Sequence, residues 1–275
     1  MEKNKRTIEI VRHLAAKCNT LEYFKSDPII YPRHFKQLME KGGSDYTFPI
    51  PQNYIVTLKD VEIVAVIAAH LAWGRREMIV RDIGRAMDEM DWKPAEYINK
   101  GCYRHDDTSL HRTIKWSEFA LICSNLRRFY TKNSTLEILT PDQMRVQIFG
   151  QQSNPKMANK KIHMLRRWMV RCDGIVDLGL WHSISPAELI IPLDVHVHNT
   201  ALELGITERK GADYKTAEEI TEFLCSCFPN DPCLGDFALF AYAAEKVREK
   251  EKAPQKSLHK ECKKSLRQMQ KNKEE

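Results

Sequence analysis

The stretch "IIPLDVHVHNTALELG", Ile190–Gly205, sets an acid at the boundary between an apolar run and a helix-forming segment. Pro192 keeps the chain extended ahead of Asp194, and "NTALELG" ends on a glycine, a common helix stop. An aspartate at such a boundary accepts the unpaired N–H groups of the first turn, so Asp194 is expected to cap a helix ending at Gly205.

The sequence on either side is helical in period almost throughout, and few runs alternate as strands do. "VEIVAVIAAHLAWG" after Asp60 is apolar on nearly every face up to Ala72, as for a helix in the centre of a core; Asp60 is expected to cap it and Gly74 to end it. "RREMIVRDIGRAMDEM" carries one apolar stripe, Ile79, Ile83, Ala86 and Met90. "PKMANKKIHMLRRWMVR" has six cations between Lys156 and Arg171 and no acid. There Ala158, Ile162, Leu165 and Met169 form a core-facing stripe, and Lys156, Lys160, His163, Arg167 and Arg171 a cationic ridge. That ridge reads either as a solvated face or as a surface for phosphates. The pattern predicts an all-α, two-lobed body without repeats, phosphate loop or dinucleotide glycine motif.

Eight cysteines are scattered through the 275 residues, and "CSCFPNDPC" lacks the paired knuckles of a zinc site, so reduced thiols and no metal are expected. No apolar run reaches the ~20 residues of a bilayer crossing, which predicts a cytoplasmic protein without membrane contact. The formal charge is +6, and residues 246–275 hold eleven Lys and Arg against five Glu. The surplus thus sits in a basic tail, and any specific nucleic-acid site must come from local patches on a neutral body.

Three chemical readings of Asp194 compete. It is a helix cap; or it joins His196 and His198 as a metal-binding D-x-H-x-H, which suits a strand but diverges on a helix, where two residues turn about 200°; or it is a catalytic carboxylate. A carboxylate at a helix N-terminus stays ionised even when partly buried. It could therefore stabilise a cationic sugar during glycosidic cleavage and orient water.

"IPLDVHV", with "HLAWGRR", "HMLRRWMVR" and "GDFALFAYAAEK", resembles the helix-hairpin-helix superfamily of DNA glycosylases. It is closest to the 8-oxoguanine glycosylase and endonuclease III-like members, and within them to a bacterial branch. The resemblance runs from about Asp27 to Glu245, and the region from Lys41 to Leu58 departs from it. It implies a glycosylase-like body, residues 1–245, in two helical lobes: one of about 1–59 with 190–245, the other of about 60–189. A DNA-binding cleft would lie between them, with Asp194 on its wall, and the protein would act as a monomer, without cofactor, on double-stranded DNA carrying a damaged or modified base. The target nucleotide would be flipped out before excision, in repair or in defence against modified phage DNA. Residues 174–176 lack the superfamily's hairpin lysine, and "CDGIVDLG" lacks its usual glycine pattern, so Arg167 or Arg171 would have to grip phosphate. Either water attacks with Asp194 alone, or Lys160, with Lys161 behind it, forms a Schiff base and gives lyase activity, as a displaced lysine does in an archaeal 8-oxoguanine branch.

The resemblance places Gly74, Arg75 and Arg76 at a turn bordering DNA, and Lys156 and His196 are further candidates for DNA contact. Trp73, Trp168, Trp181, Phe237, Phe240 and Tyr242 could stack on a flipped base, although each also suits a core. A non-catalytic helical nucleic-acid-binding protein and a metal-dependent phosphohydrolase using Asp194, His196 and His198 are the rival functions.

Overall fold

A computed structural model describes residues 2–24, 27–41 and 48–242. Its helices are α1 (Glu2–Cys18), α2 (Leu21–Phe24), α3 (Ile30–Lys41), α4 (Leu58–Leu71), α5 (Arg76–Glu89), α6 (Pro94–Lys100) and α7 (Trp116–Tyr130). They continue with α8 (Pro141–Gln147), α9 (Lys160–Val170), α10 (Val195–Leu204) and α11 (Tyr214–Cys227). A further helix, α12, runs from 234 to the last described residue, 242. Strands β1 (Ser109–His111) and β2 (Ile114–Lys115) pair antiparallel into one small hairpin. The expected all-α class therefore holds apart from that hairpin. The basic tail lies outside the described residues, as does part of the 41–58 region. No helix among the described residues is long and apolar enough to cross a membrane.

Helix α4 is the axis of the core. Val61, Ile63, Val64, Ala65, Val66, Ala68 and Leu71 are essentially without solvent contact, and α3, α5, α6 and α9 pack around them. Burying a large aliphatic side chain is worth about 1.5–3 kcal/mol, which explains why a helix with no polar face settles there. Glu62, a buried acid in its interior, accepts from Tyr130 Oη (2.6 Å), Thr135 Oγ1 (2.6 Å), the Leu136 N–H (3.1 Å) and Trp181 Nε1 (2.8 Å). Trp181 is thereby a core residue and not part of a base pocket.

Both expected boundaries of α4 shift. Thr57 precedes the helix, and Asp60 lies one turn in, where its Oδ2 accepts from the Thr57 N–H (2.9 Å) and Oγ1 (2.7 Å). Its Oδ1 takes the Ala95 N–H at 2.9 Å, tying α6 to α4. The helix stops at Leu71, and Gly74, at φ +103°, belongs to the turn into α5. The stripe of α5 faces inward as expected, with Ile79, Ile83, Ala86 and Met90 all buried.

The cationic ridge expected along α9 is corrected. The helix starts at Lys160, so Lys156 lies outside it, and His163, Arg167 and Arg171 are buried. Arg171 forks onto Asp231 through two bonds of 2.8 Å and also meets Asp173 and Asp177. Arg167 donates to Asp236 at 2.6 Å and lies 3.5 Å from Asp177. Asp173 and Asp177 lie just past the helix and Asp231 and Asp236 far along the chain, so the helix looks unpaired only along its own length. Both guanidinium groups are thus taken up by buried and half-buried carboxylates, not spread along a solvated face. The loop "CDGIVDLG" is likewise closed on itself: Asp173 Oδ1 accepts the N–H groups of Ile175 (2.9 Å) and Val176 (3.1 Å).

Candidate active site

Asp194 is the N-cap of α10. Its Oδ1 accepts the N–H groups of His196 and Val197, each at 2.9 Å, and Gly205 closes the helix in the left-handed conformation. With Oδ1 occupied, Oδ2 is turned toward Lys160, whose Nζ lies 3.5 Å away. Lys160 is the first residue of α9, and its Nζ also donates to the Ala72 carbonyl at 3.2 Å. One amine is thus held between the end of α4 and the start of α10, with a third of its side chain still open to solvent.

This pair lies in a cavity of about 980 Å³. Its walls come from six separate segments: Asp27 and Pro28; the turn Ala72–Arg76 with Glu77 and Ile79 of α5; Arg112; Lys160, Met164, Arg167 and Trp168 of α9; Pro192 and Asp194–Val197; and Asp236, Phe237 and Phe240 of α12. A volume of this size is in the range of pockets that enclose small organic ligands. Trp168 and Phe237 are fully buried in the floor, whereas Trp73 is exposed at the rim. Arg76 lies 3.6 Å from Asp27 and over the ring of Phe240.

Two further carboxyls face the same space. Burial, opposed by the Arg167 guanidinium and reinforced by neighbouring Asp194, pushes Asp236 up to about 6. Its Oδ2 is held by Arg167, and its Oδ1 is buried without a hydrogen-bond partner. Burial also raises Asp27, against the pull of Arg76 and of the Ile29 N–H bonded to its Oδ1 at 3.1 Å. Neither acid stood out in the sequence. Asp27 precedes a proline in an irregular connector, Asp236 begins an ordinary helix, and only the fold brings them to Asp194.

The remaining sequence candidates separate clearly. Gly74, Arg75 and Arg76 line the cavity mouth, and His196 is exposed beside Asp194. Lys161 does not line the cavity: its Nζ meets His70 Nδ1 at 3.1 Å and sits over the Phe149 ring, and burial, aided by Arg145, lowers it to about 8. Tyr242 also lies off the cavity, with its hydroxyl 3.2 Å from Glu203 Oε1, and Phe240, two residues earlier and so on the opposite side of the helix, lines the wall. Lys156 is exposed, and its carbonyl takes the Tyr214 N–H at 2.9 Å. The D-x-H-x-H arrangement is corrected: His198 turns inward and bonds the Arg209 carbonyl through Nε2 at 2.8 Å. Among the described residues no three His, Cys, Asp or Glu side chains converge as metal ligands.

A helical body with an amine and a carboxylate paired in an aromatic-lined cavity is the class of protein these observations define. Residues 49–152 and 140–245 match the family described as "Protein of unknown function (DUF2400)", and the chain belongs to that family. No curated protein and no solved structure matches it.

Proposed function

We propose that the chain is a DNA glycosylase that flips a damaged or modified base out of duplex DNA and cleaves its N-glycosidic bond. The observation that carries this is the 3.5 Å approach of Lys160 Nζ to Asp194 Oδ2 within the cavity. A neutral amine attacks C1′ of the everted nucleotide, the C1′–N bond breaks, and the base leaves with the bonding electrons and takes up a proton. Asp194, as an anion, stabilises the positive charge that develops on the sugar while the C1′–N bond breaks; once the Lys160 nitrogen is bonded to C1′, Asp194 takes the proton that this nitrogen gives up and passes it to the departing base. Ring opening then gives a Schiff base to Lys160, from which elimination can break the strand on the 3′ side. This support for the lysine route falls on Lys160 and not Lys161, whose amine points to His70. It also favours an enzyme over a passive nucleic-acid-binding protein, which has no use for such a pair.

The two-lobed helix-hairpin-helix arrangement is part of the same proposal. In its favour, the cavity draws walls from residues 27–28 and 192–240 on one side of the division and from 72–168 on the other. Asp27 and Asp236 bring two further carboxyl groups to the cavity, whose oxygens would accept from N–H groups of the base. Repair of damaged bases and removal of modified bases from foreign DNA both fit this chemistry.

The test incubates the full chain with duplex oligonucleotides carrying a panel of modified bases and identifies released nucleobases by mass spectrometry. Borohydride trapping is run in parallel. Release should fall by roughly a hundredfold or more in Asp194→Asn. The covalent adduct should vanish in Lys160→Ala and persist in Lys161→Ala. Release undiminished in Asp194→Asn, or no release from any base, would defeat the proposal.

A further inference from the structure

Two consecutive carbonyls at the end of α4 are each taken by a donor from another element. The Ala72 carbonyl accepts Lys160 Nζ at 3.2 Å, and the next one, that of Trp73, accepts from His111 Nε2 at 2.9 Å. The turn that carries them is tight: Ala72 follows the helix with φ −74° and ψ 64°, and the Trp73 N–H returns to the Leu71 carbonyl at 2.7 Å. The two planar peptide groups meet at the Trp73 Cα, so fixing one limits the rotation of the other.

His111 is the buried end of this connection. It belongs to β1, has no solvent exposure, and bonds Asp82 Oδ2 through its other nitrogen, Nδ1, at 2.8 Å. A carboxylate and a carbonyl only accept, so both bonds form together only when each ring nitrogen carries a proton. Asp82, buried on α5, is itself fixed: Arg81 meets it at 2.8 and 3.1 Å and Arg85 at 3.3 Å. Against its burial, hydrogen bonds from Arg81, His111 and Arg85 hold its carboxyl below the ordinary carboxylate range. Arg85 also takes the Leu110 carbonyl at 2.7 Å, which pins the strand beside His111. Neither His111 nor Asp82 lines the cavity. A buried polar pair of this kind adds little stability over apolar residues of the same volume, so its place in the core points to a role other than stability.

We propose that His111 and Asp82 are positioning residues for Lys160: through the Trp73 carbonyl they fix the turn whose preceding carbonyl holds the Lys160 amine 3.5 Å from Asp194. The inference rests on the lysine route of the proposed function. Without the His111 bond the peptide groups on either side of the Trp73 Cα can rotate, and the Ala72 carbonyl leaves the amine. A side chain one-third open to solvent then has only Asp194 to hold it. A displacement of about 1 Å is enough to slow a reaction by roughly a hundredfold.

The experiment follows borohydride trapping on a duplex with one natural abasic site, whose aldehyde reacts without any base being released. In His111→Ala the rate at saturating DNA should fall by roughly ten- to a hundredfold, with the half-saturating DNA concentration within about threefold of the wild type. Free imidazole refills the vacated space and, when protonated, presents two N–H groups, so it should restore much of the rate. N-methylimidazole, of similar shape but with one nitrogen blocked, should not. A histidine that merely filled the core would be replaced by either. If His111→Ala melts far below the wild type, His111→Asn carries the test: its amide takes the place of Nδ1 and reaches Asp82 but not the Trp73 carbonyl, and the rate should fall as far. An unchanged rate in a folded variant, a change confined to the half-saturating concentration, or equal rescue by the two imidazoles overturns the inference while leaving the lysine route intact. No adduct in the wild type removes the lysine route and the inference with it. Base release from the modified-base panel judges the glycosylase reading separately.

Discussion

Asp194 serves two purposes with its two oxygens. Oδ1 satisfies the first turn of α10, and Oδ2 faces Lys160, so structural and chemical roles can be separated by substitution. Asparagine caps a helix nearly as well as aspartate, and alanine forfeits about 1 kcal/mol. Asp194→Asn is therefore expected to unfold within a few tenths of a kcal/mol of the wild type in urea, and Asp194→Ala about 1 kcal/mol lower, while both release base roughly a hundredfold or more slowly. Equal destabilisation by the two would mean that the cap is not what holds the residue. The cap was legible from Pro192, Asp194 and Gly205 because capping is a local matter of a few consecutive residues. The partner was less so: only the resemblance set Lys160 ahead of Lys161, and it is the rotation of α9 that sends one amine to Asp194 and its neighbour to His70.

At the level of elements, α4 shows how far pattern reading reaches. Its burial follows directly from apolar residues on every face, yet its ends did not: the turn at Ala72–Arg75 is shaped by Arg112 crossing Gly74, a contact from another part of the chain. Glu62 is the same lesson in the interior. In sequence it is one acid in an apolar run, and in the fold it gathers donors from α7, the turn at Thr135–Leu136 and Trp181. Replacing it with glutamine keeps the volume but supplies an N–H₂ where every neighbour is a donor. Glu62→Gln should cost roughly 2–3 kcal/mol in chemical denaturation. Trapping by Lys160 per folded molecule should be unaffected, since the hub does not line the cavity; a stability equal to wild type would show that these donors find water instead.

For the whole molecule, buried ionisable groups set the response to acid. Burial, reinforced by Arg166, lowers His163 to about 4, and its Nε2 has no hydrogen-bond partner. Burial also lowers His70, to about 3. The folded state then binds fewer protons than the unfolded chain between about pH 6.5 and 4. Stability conferred by the neutral rings is present above that window and is lost as pH falls through it. Asp236, raised to about 6, acts in the opposite sense, adding stability as pH falls from about 6 toward the ordinary carboxylate range. His163→Met should therefore flatten the decline by up to about 1.4 kcal/mol per pH unit between pH 6.5 and 4, as measured by urea midpoints at each pH. An unchanged slope would mean that His163 is protonated in the folded protein. The helical class, the central place of α4 and the cap at Asp194 were determined by the sequence itself, because helical periodicity and capping depend on residues within one or two turns. The tertiary structure alone decided which charges meet: it buried Arg167 and Arg171 against Asp177, Asp231 and Asp236, chose Lys160 over Lys161, and brought Asp27 and Arg112 to the same cavity. Most of these pairings join residues far apart along the chain, and their energies arise only once packing has removed the water between them.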